Sequence, residues 1–434
     1  MKMESACSAV WLARAEELKP LLLREEILPR RLVRVRADPA AFQGWRVDAD
    51  AMDLATSRRT PWAAGETRIY DLGEHRVGRL RLSLASDAGF NDAPVRLRIL
   101  FAEVPAELAE PFGNVKGWLS CNWLQDEQVT FDLLPCRLEL PRRYACRYIR
   151  IEAVGASQAF RVLLPEISFE AVAAVAQEIA PLVPTGLTEE DHTIALASLR
   201  TLRDCMQTVF EDGPKRDRRL WIGDLRLQAL ANAVSFRHFG LVRRCLYLFA
   251  GLAREDGMVP SCLYEDPAPR SGGNYAQDYA ALFGVVLADH VDISGDEITG
   301  RELLPVAVRQ IELLLALRDA SGSYREADLW WFIDWQNDLH KQPCIHGVVL
   351  YALNRVMALA KALGQPEAVA GLVGIGEVLR AAARRAFLGE GALPRSSSGQ
   401  ASWASWAWLT MAGVLDPEEA SAGRRGRCAP VAPI

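Results

Sequence analysis

Several features that mark other protein classes are missing from this chain of 434 residues. The 50 basic and 55 acidic residues are interspersed and leave a net charge of −5, so there is no basic stripe of the kind that binds nucleic acid. No stretch of the sequence reads as a membrane span. We therefore expect neither nucleic acid nor a membrane as a partner.

Cysteine and histidine patterns typical of metal sites and disulfides are also missing. The nine cysteines form no C-x-x-C pair, and His340 and His346 are spaced wrongly for a metal pair on one helix. We expect reduced thiols, with Cys205 and Cys245 in the core, and neither metal nor cofactor. The first residues have no hydrophobic segment or cleavage site of a secretory signal, so we expect a cytoplasmic protein.

The first 180 residues show the period-two pattern of β-strands. Apolar residues alternate in several runs, and Gly, Pro, Asn and Asp separate the runs. Short, half-buried strands at such intervals predict an antiparallel β-sandwich of the jelly-roll type. The alternating runs are Leu80, Leu82 and Leu84; Val95, Leu97 and Ile99; and Tyr148, Ile149 and Ile151.

After Pro181 and Pro184 the apolar period changes to that of helices. Thr188-Glu-Glu-Asp191 resembles a capping box, and the helix that it starts runs toward Glu211. Apolar residues then recur at i, i+3, i+4 and i+7, which predicts paired helices. The recurring sets are Leu227, Leu230, Ala231 and Val234; Leu304, Ala307, Val308 and Ile311; and Val349, Ala352, Leu353 and Val356.

Length and composition predict more than one domain, because half of the residues are hydrophobic and can fill sizeable cores. We expect an N-terminal segment at 1–40, a β-sandwich domain at 41–180 and a helical domain at 181–420. The remaining residues, 421–434, show no helical pattern.

The most informative segment is Asp212-Gly-Pro-Lys-Arg-Asp-Arg-Arg-Leu-Trp-Ile-Gly-Asp224, which packs three carboxylates, four cations and an indole between two helical patterns. Such a connector is typical of polar-ligand binding. Asp212, Asp217 and Asp224 could converge on hydroxyl groups. Arg216 could keep one carboxylate ionised, and Trp221 offers an apolar plate for the C–H face of a sugar ring. The combination indicates carbohydrate chemistry.

Each of these acids also has a purely structural interpretation. Asp212-Gly-Pro is a competent turn by itself, and Asp224 stands where a helix N-cap belongs. The order and spacing of the whole group nevertheless favour a functional role over a structural one.

The segment resembles the signature of the bacterial α-L-rhamnosidases, glycoside hydrolase family seventy-eight. The usual form is Asp-Cys-Pro, one residue, Arg-Glu or Arg-Asp-Glu, a short basic stretch and Gly-Trp-Thr-Gly-Asp. Aligned on the last Gly-Asp, the resemblance implies that Asp217 is the general acid. It also implies a sugar-binding role for Asp212, Arg216, Trp221 and Asp224. The departures from the signature are Gly213 for Cys, Asp217 for Glu, Leu220 for Gly and Ile222 for Thr.

Glycoside hydrolysis needs one carboxylic acid to protonate the leaving oxygen and a second carboxylate on the other face of the ring. The two carboxyls stand about 6.5–9.5 Å apart when water attacks, and about 5–5.5 Å apart when a carboxylate attacks. Members of the family are inverting, so the resemblance implies the wider separation and the release of terminal α-L-rhamnosyl residues.

A second group of candidate residues is Trp330-Trp-Phe-Ile-Asp-Trp335, between two helical patterns. Its indoles could stack on a sugar while Asp334 accepts hydrogen bonds from ring hydroxyls. Similar Phe-Ile-Asp-Trp sequences lie near the bound sugar in the family, so the resemblance implies substrate binding by Asp334 and Trp335. Trp330 could equally belong to a buried aromatic cluster.

Two further groups have weaker patterns. Trp118 and Trp123 resemble positions of the family's sandwich domain, and we expect them in packing rather than in sugar binding, because indoles in sandwiches are usually buried. The loop at 264–275 could rim the mouth of the helical domain.

The resemblance implies that the helical domain is an (α/α)6 toroid with its site at the mouth. About eight helical patterns follow Thr188 where six hairpins need about twelve, so we expect an incomplete toroid. The family's general base, a late glutamate, has no match, and the last residues have the composition of an altered reading frame. We expect a truncated chain whose apolar face lacks its partner hairpin and promotes association. This face comprises Trp403, Trp406, Trp408 and Leu409.

Three functional hypotheses therefore stay open. The first is an inverting rhamnosidase-like glycosidase with Asp217 as its acid, and the second is a sugar-binding protein on the same scaffold that does not catalyse. The third is another six-hairpin glycosidase that acts on glucosides. The exact sugar, the aglycone and the oligomeric state are not fixed by the sequence.

Overall fold

The computed structural model describes residues 4–88, 92–110, 112–114, 120–176, 178–179, 182–320, 322–325, 329–388 and 394–425. Two compact units divide the chain, one formed by residues 20–218 and the other by residues 1–19 with 219–434. The first contains most of the strands, and we call it the sheet unit. The second contains most of the helices, and we call it the helical unit.

The elements up to residue 218 are mainly strands. In chain order they are α1 (Glu4–Glu17), β1 (Leu23–Ile27), β2 (Arg31–Ala37), β3 (Trp45–Ala49), α2 (Leu54–Arg59), β4 (Thr67–Ser86), β5 (Val95–Ala102), α3 (Pro105–Ala109), β6 (Gln125–Phe131), β7 (Cys136–Glu139), β8 (Tyr144–Gly155), β9 (Val162–Ala173) and α4 (Glu189–Cys205).

The elements after residue 218 are mainly helices. They are β10 (Leu220–Trp221), α5 (Ile222–Val234), α6 (Phe239–Gly251), β11 (Cys262–Tyr264), β12 (Arg270–Ser271), α7 (Gln277–Ser294), α8 (Glu297–Leu315), α9 (Gln342–Ala362), α10 (Ile375–Phe387), α11 (Trp403–Met411) and α12 (Pro417–Arg425).

The sheet unit is built on one antiparallel sheet of the nine strands β1–β9. The main order is β1-β9-β4-β8-β5-β6, with β2 and β7 also paired to β4, and β3 paired to β2. The predicted alternation is confirmed, since Leu80, Leu82 and Leu84 of β4 are all buried. The predicted residues of β5 and Ile149 and Ile151 of β8 are buried in the same core, whereas Tyr148 is buried in a second cluster with Val33 and Ile69. The sequence thus predicted a sheet-rich first part correctly.

The sheet begins earlier than the sequence predicts. Strands β1 and β2 lie within the predicted N-terminal segment 1–40, and β1 pairs along its whole length with β9. Four of the five side chains of β1 are exposed, so the strand has no apolar alternation to reveal it. Its backbone pairing, which sequence patterns do not report, defines this strand.

The sheet unit also extends beyond the predicted boundary at residue 180, because α4 packs on β4 and β9. Thr188 caps α4 by accepting a hydrogen bond from the Asp191 N–H at 3.1 Å, as the predicted capping box requires. The helix ends at Cys205 instead of continuing toward Glu211. The buried Gln207 side chain donates to the backbone oxygens of β9 and α4, which turns the chain away from the helix.

In the helical unit, alternate helices pack on one another. Helix α7 packs on α5 and α9, and α9 packs on α11, while α6 and α8 pack beside them. Fourteen of the eighteen residues of α7 are buried, which places this helix at the centre of the unit. The first residues belong here too, because α1 packs on α6, and the buried Arg244 donates to the Ala15 carbonyl.

The predicted apolar faces of α8 and α9 are confirmed, since every residue of both sets is buried. The face predicted for α5 is wrong. Leu227 and Val234 are 65 % and 87 % exposed, while Ile222 and Leu225 on another side of the helix are fully buried. Periodicity located this helix correctly but could not decide between two partly apolar sides.

The last described helices correct two predictions. Leu409 is fully buried rather than unpartnered, because α11 packs on α9 at Gly347, where an added Cβ would come within 2.8 Å of Trp408. Trp403 is 43 % exposed. Helix α12 ends at Arg425, so the segment at 421–434 is helical in its first part although it has no apolar period.

Helix α9 departs from the expectation that no stretch reads as a membrane span. By length and composition it is the one described helix that could cross a membrane, but 72 % of its apolar window is buried within the protein. A helix in the core of a packed unit is apolar for the same reason. None of the seven described cysteines is in a disulfide, and Cys205 and Cys245 are buried as predicted.

Candidate active site

The first half of the charged segment forms a turn at the end of the sheet unit. Residues 214–217 make the turn, and the N–H of Arg218 donates to the Gly213 carbonyl at 3.1 Å. Arg218 has a positive φ of 54°, a conformation that is uncommon outside glycine. Its guanidinium donates to the carbonyl oxygens of Pro214 and Arg143, which compensates the backbone strain. The turn is therefore tied to the sheet.

Within this turn Arg216 contacts two of the predicted acids. Its guanidinium donates to the Asp212 carboxylate at 2.7 Å and lies 4.0 Å from the Asp217 carboxylate. The Asp217 side chain is only 5 % exposed, whereas that of Asp212 is 22 % exposed. The structure thus brings Asp212, Arg216 and Asp217 together, as the sequence predicted.

The contact of Trp123 with Arg216 was not predicted from the sequence. The guanidinium of Arg216 lies over its indole, 5.3 Å from the ring centroid, at cation–π distance. We expected Trp123 to serve in packing. Its half-buried indole packs against Arg216, a predicted sugar-binding residue. Trp118 lies outside the described residues.

Lys215 fixes the same turn from its other side. Its ammonium group donates to both carboxylate oxygens of Glu107 at 2.5 Å and lies 3.6 Å from Glu103. Its backbone oxygen accepts a hydrogen bond from the side chain of Gln125 at 3.3 Å. The residue is two positions before Asp217, so these contacts fix the backbone that presents the acid.

The Glu103 carboxylate connects Lys215 to a half-buried histidine. His75 contacts Asp204 at 2.6 Å through Nδ1 and Glu103 at 2.8 Å through Nε2. Burial lowers the pKa of the imidazole, but the hydrogen bonds to the two carboxylates outweigh burial and raise it to about 9. The imidazole is therefore a cation at neutral pH, joining two acids of the sheet unit.

The second half of the charged segment belongs to the helical unit. Trp221 ends the short strand β10 and is the N-cap residue of α5, with a half-buried indole. Asp224 lies in the first turn of α5 instead of at the predicted N-cap, so its role as a capping residue is corrected. A carboxylate in the first turn is favoured by the helix dipole.

Tyr279 of α7 is a residue that the sequence interpretation missed. Its ring lies edge-on to the Trp221 indole, with centroids 5.9 Å apart, and edge-on to Phe332 at 5.6 Å. Phe332 in turn contacts the indole of Trp335 at 5.0 Å. Within the helical unit, a continuous row of aromatic rings therefore joins Trp221 to Trp335.

The segment at 330–335 is not a buried cluster. Trp330 is 39 % exposed, Trp335 is 62 % exposed, and Asp334 is exposed as well. Large exposed indoles beside a carboxylate are unusual on a protein surface without a ligand to contact. Asp334 and Trp335 are therefore accessible to a ligand.

The loop at 264–275 contacts the second half of the charged segment through Tyr264. Strands β10, β11 and β12 form a small antiparallel sheet, so Trp221 pairs with Cys262. Arg219 stacks on Tyr264 with 4.7 Å between the guanidinium and the ring centroid. The pairing fixes the start of α5 against this loop.

The histidines have structural surroundings. His346 is buried between the rings of Tyr324 and Phe387, and burial lowers its pKa to about 4, while His340 is exposed. No group of three or more His, Cys, Asp and Glu side chains suited to a metal occurs among the described residues.

A sheet-rich unit, a unit of packed helices, and loops that carry acids beside indoles define a carbohydrate-active enzyme of the helical-hairpin class. The family model described as glycosyl hydrolase family 78 alpha-rhamnosidase N-terminal domain matches residues 29–171. The model described as bacterial alpha-L-rhamnosidase 6 hairpin glycosidase domain matches residues 192–418. The chain belongs to the bacterial α-L-rhamnosidases of glycoside hydrolase family 78.

Solved structures of rhamnosidases agree with this assignment. The rhamnosidase from Klebsiella oxytoca with rhamnose bound is 40 % identical with a TM-score of 0.91, covering 97 % of this chain and 82 % of its own. The rhamnosidase of Bacillus sp. GL1 is 19 % identical with a TM-score of 0.69, covering 89 % of this chain and 41 % of its own. The α-L-rhamnosidase of Streptomyces avermitilis complexed with L-rhamnose is 15 % identical with a TM-score of 0.63, covering 94 % and 35 %. No curated protein sequence matched.

Proposed function

We propose that this rhamnosidase-like protein hydrolyses terminal α-L-rhamnosyl residues of glycosides with inversion, and that Asp217 is its general acid. Family membership and the 40 % identical rhamnosidase with rhamnose bound support the choice of sugar. Asp212, Arg216 and Asp224 would bind ring hydroxyls. Trp221, Asp334 and Trp335 would bind the sugar through aromatic contact and one further carboxylate.

The observation that carries this proposal is the unequal environment of the two acids beside Arg216. Asp212 pairs directly with the guanidinium at 2.7 Å, while the almost buried Asp217 side chain stands back at 4.0 Å. Two carboxyl groups in different environments can take different roles, one as proton donor and one as a charged acceptor of hydroxyl hydrogens. A turn that only joined two elements would not need this arrangement.

Two finer structural features belong to the same proposal. We propose that the sheet unit is a jelly roll, which its antiparallel strands with crossed order support. The helical unit would form part of an (α/α)6 toroid. In support, α5, α7, α9 and α11 pack in succession, as four of the six inner helices of a toroid would, and α6 and α8 pack beside them.

A second candidate function is sugar binding without hydrolysis, and the described glutamates after Asp334 favour it. Glu367, Glu377 and Glu418 are exposed, and Glu419 pairs with Arg384 at 2.6 Å. Among the described residues, no contact links any of these four glutamates to the row of aromatic rings around Tyr279. An inverting reaction needs a second carboxylate to activate water, and none of the four has the surroundings of such a base.

Two measurements with the purified chain separate these candidates. Hydrolysis of nitrophenyl α-L-rhamnoside tests the first, with the anomer of the released sugar followed by NMR to test inversion. The matched control substrate is nitrophenyl α-D-glucoside, on which turnover would identify a different glycosidase. Rhamnose binding measured by calorimetry, without turnover, would establish the second candidate. A protein that neither binds nor hydrolyses rhamnosides would contradict both candidates.

A further inference from the structure

The backbone at Ile333 is strained next to the predicted sugar-binding residues. Ile333 has a positive φ of 53°, which is a genuine outlier for a β-branched side chain. The N–H of Asp334 donates back to the Phe332 carbonyl at 2.5 Å, so the chain reverses over three residues. Such a conformation persists only when surrounding groups stabilise it, and it is common at ligand sites.

A buried carboxylate on α7 stabilises this turn. Asp278, which is 3 % exposed, accepts hydrogen bonds from the N–H of Ile333 at 2.8 Å and of Phe332 at 3.3 Å. Burial raises the pKa of this carboxyl, and the peptide N–H groups act in the opposite direction. A buried acid that interacts with two consecutive peptide groups can determine their orientation, which a neutral group would do less well.

The start of α7 contacts the same segment through its backbone. The N–H of Gln277 donates to the Trp330 carbonyl at 3.1 Å, and the Trp330 N–H donates to the Tyr275 carbonyl at 3.3 Å. These bonds fix the beginning of the segment, but they end before the residues that face solvent. The turn at Ile333 comes directly before Asp334 and the 62 % exposed Trp335, whose indole also contacts Phe332.

We propose that Asp278 is a positioning residue, which fixes the strained turn at Ile333 and so orients Asp334 and Trp335 toward the sugar. The inference rests on the proposed function for what these two side chains bind. It adds a buried residue on another element that touches no substrate and acts only through the peptide groups of Phe332 and Ile333.

The first test uses the protein without sugar. Asp278→Asn keeps the shape of the side chain but replaces one of its two oxygens by an NH2 group, which cannot accept a hydrogen bond. Amide exchange at Phe332 and Ile333 should then rise about tenfold, as expected for the loss of a buried hydrogen bond. The matched control is Asp296→Asn, because Asp296 caps α8 by accepting from the Thr299 N–H. This control should leave exchange at Phe332 and Ile333 unchanged.

The second test measures rhamnose affinity by calorimetry. Asp278→Asn should weaken binding about tenfold. Adding Ile333→Gly should recover part of the affinity, because glycine adopts a positive φ without strain. A residue that served stability alone would lower the melting temperature without changing affinity, and Ile333→Gly would not rescue it.

The two tests fail in different ways. Unchanged amide exchange at Phe332 and Ile333 in Asp278→Asn would overturn the positioning role, whatever the protein binds. Unchanged rhamnose affinity in Asp278→Asn would also overturn it, given a wild-type protein that binds rhamnose. A wild-type protein that does not bind rhamnose would contradict the proposed function, and the exchange measurement would still decide whether Asp278 fixes the turn.

Discussion

The ring of Tyr279 meets the indole of Trp221 edge to face, with their planes at 87°. The same ring lies against Gly223, where an added Cβ would come within 2.8 Å of two of its carbon atoms. Glycine at this position therefore lets the start of α5 approach α7 closely. Because Tyr279 also contacts Phe332, a larger residue at Gly223 should displace the Tyr279 ring and, through it, the ring of Phe332.

Gly223→Ala should destabilise the protein by about 1–3 kcal/mol, as overpacking of a close contact does. It should also weaken rhamnose binding, because the Tyr279 ring must move. Gly213→Ala is the matched control, since a Cβ there would meet Arg216 at an ordinary 3.6 Å, and its stability should change little. Urea unfolding and calorimetry measure both effects. Equal stability of the two variants would contradict the steric argument.

The exposed indole of Trp335 should matter for ligand affinity and hardly for folding. Trp335→Ala is expected to weaken rhamnose binding while lowering the free energy of unfolding by less than about 1 kcal/mol, because a 62 % exposed ring has little buried surface to lose. Trp62→Ala is the contrasting control. Its ring is 1 % exposed, so its truncation should cost about 3–5 kcal/mol.

Trp221→Ala should lower the free energy of unfolding by an amount between those of Trp335→Ala and Trp62→Ala, because its indole is half-buried against Tyr279. We expect weaker rhamnose binding together with a moderate loss of stability. A large fall in melting temperature with unchanged affinity, for either Trp221→Ala or Trp335→Ala, would show that the indole serves packing only.

Much of the fold could be predicted from local patterns. The alternating leucines of β4 and the periodic residues of α8 and α9 are buried as expected, because one-sided burial imposes a period on the sequence. Strand β1 and the buried side of α5 could not be predicted. An exposed strand has no alternation of apolar and polar residues. When a helix has two partly apolar sides, the sequence does not determine which side is buried in the core.

The candidate site was predicted in part for the same reason. The acids at 212–224 and the aromatic segment at 330–335 stand out within short windows of sequence. Tyr279 and Asp278 do not, because both belong to another element and reach these segments through contacts distant in sequence. Asp224 was placed at an N-cap because the helical pattern was traced from Leu225, whereas α5 begins three residues earlier, at Ile222.

The raised pKa of His75 gives a signed prediction for stability against pH. The folded-state pKa of about 9 exceeds the ordinary value of 6.5, so folding is stabilised by the bound proton. This contribution is fully present below about pH 6.5 and is lost as the pH rises through about 9. The imidazole is 30 % exposed, so solvent screening should limit the contribution to about 1–2 kcal/mol.

Urea unfolding of wild type and His75→Gln at about pH 6 and about pH 9.5 measures this contribution. Wild type should lose about 1–2 kcal/mol more than the variant between the two pH values. His192→Gln, at an exposed position of α4, is the matched control and should follow wild type. The same pH dependence in wild type and His75→Gln would exclude a folding-linked proton on this residue.

The role of Asp217 can be tested by comparing leaving groups. A general acid matters most when the leaving oxygen is a poor leaving group, because a good one departs without protonation. If the protein is active, Asp217→Asn should reduce turnover of a rhamnosyl disaccharide by about 100-fold or more, and that of nitrophenyl rhamnoside far less. The ratio of kcat/KM values for the two substrates gives the result.

Two further Asp→Asn variants complete this comparison. Asp212→Asn should weaken rhamnose binding and lower turnover of both substrates together, because its carboxylate pairs with Arg216 at 2.7 Å and would bind ring hydroxyls. Asp87→Asn, which removes a carboxylate paired with Arg161, should leave both rates unchanged. If Asp217→Asn lowered both rates equally, Asp217 would bind the sugar instead of donating the proton, and another carboxyl group would have to be the acid.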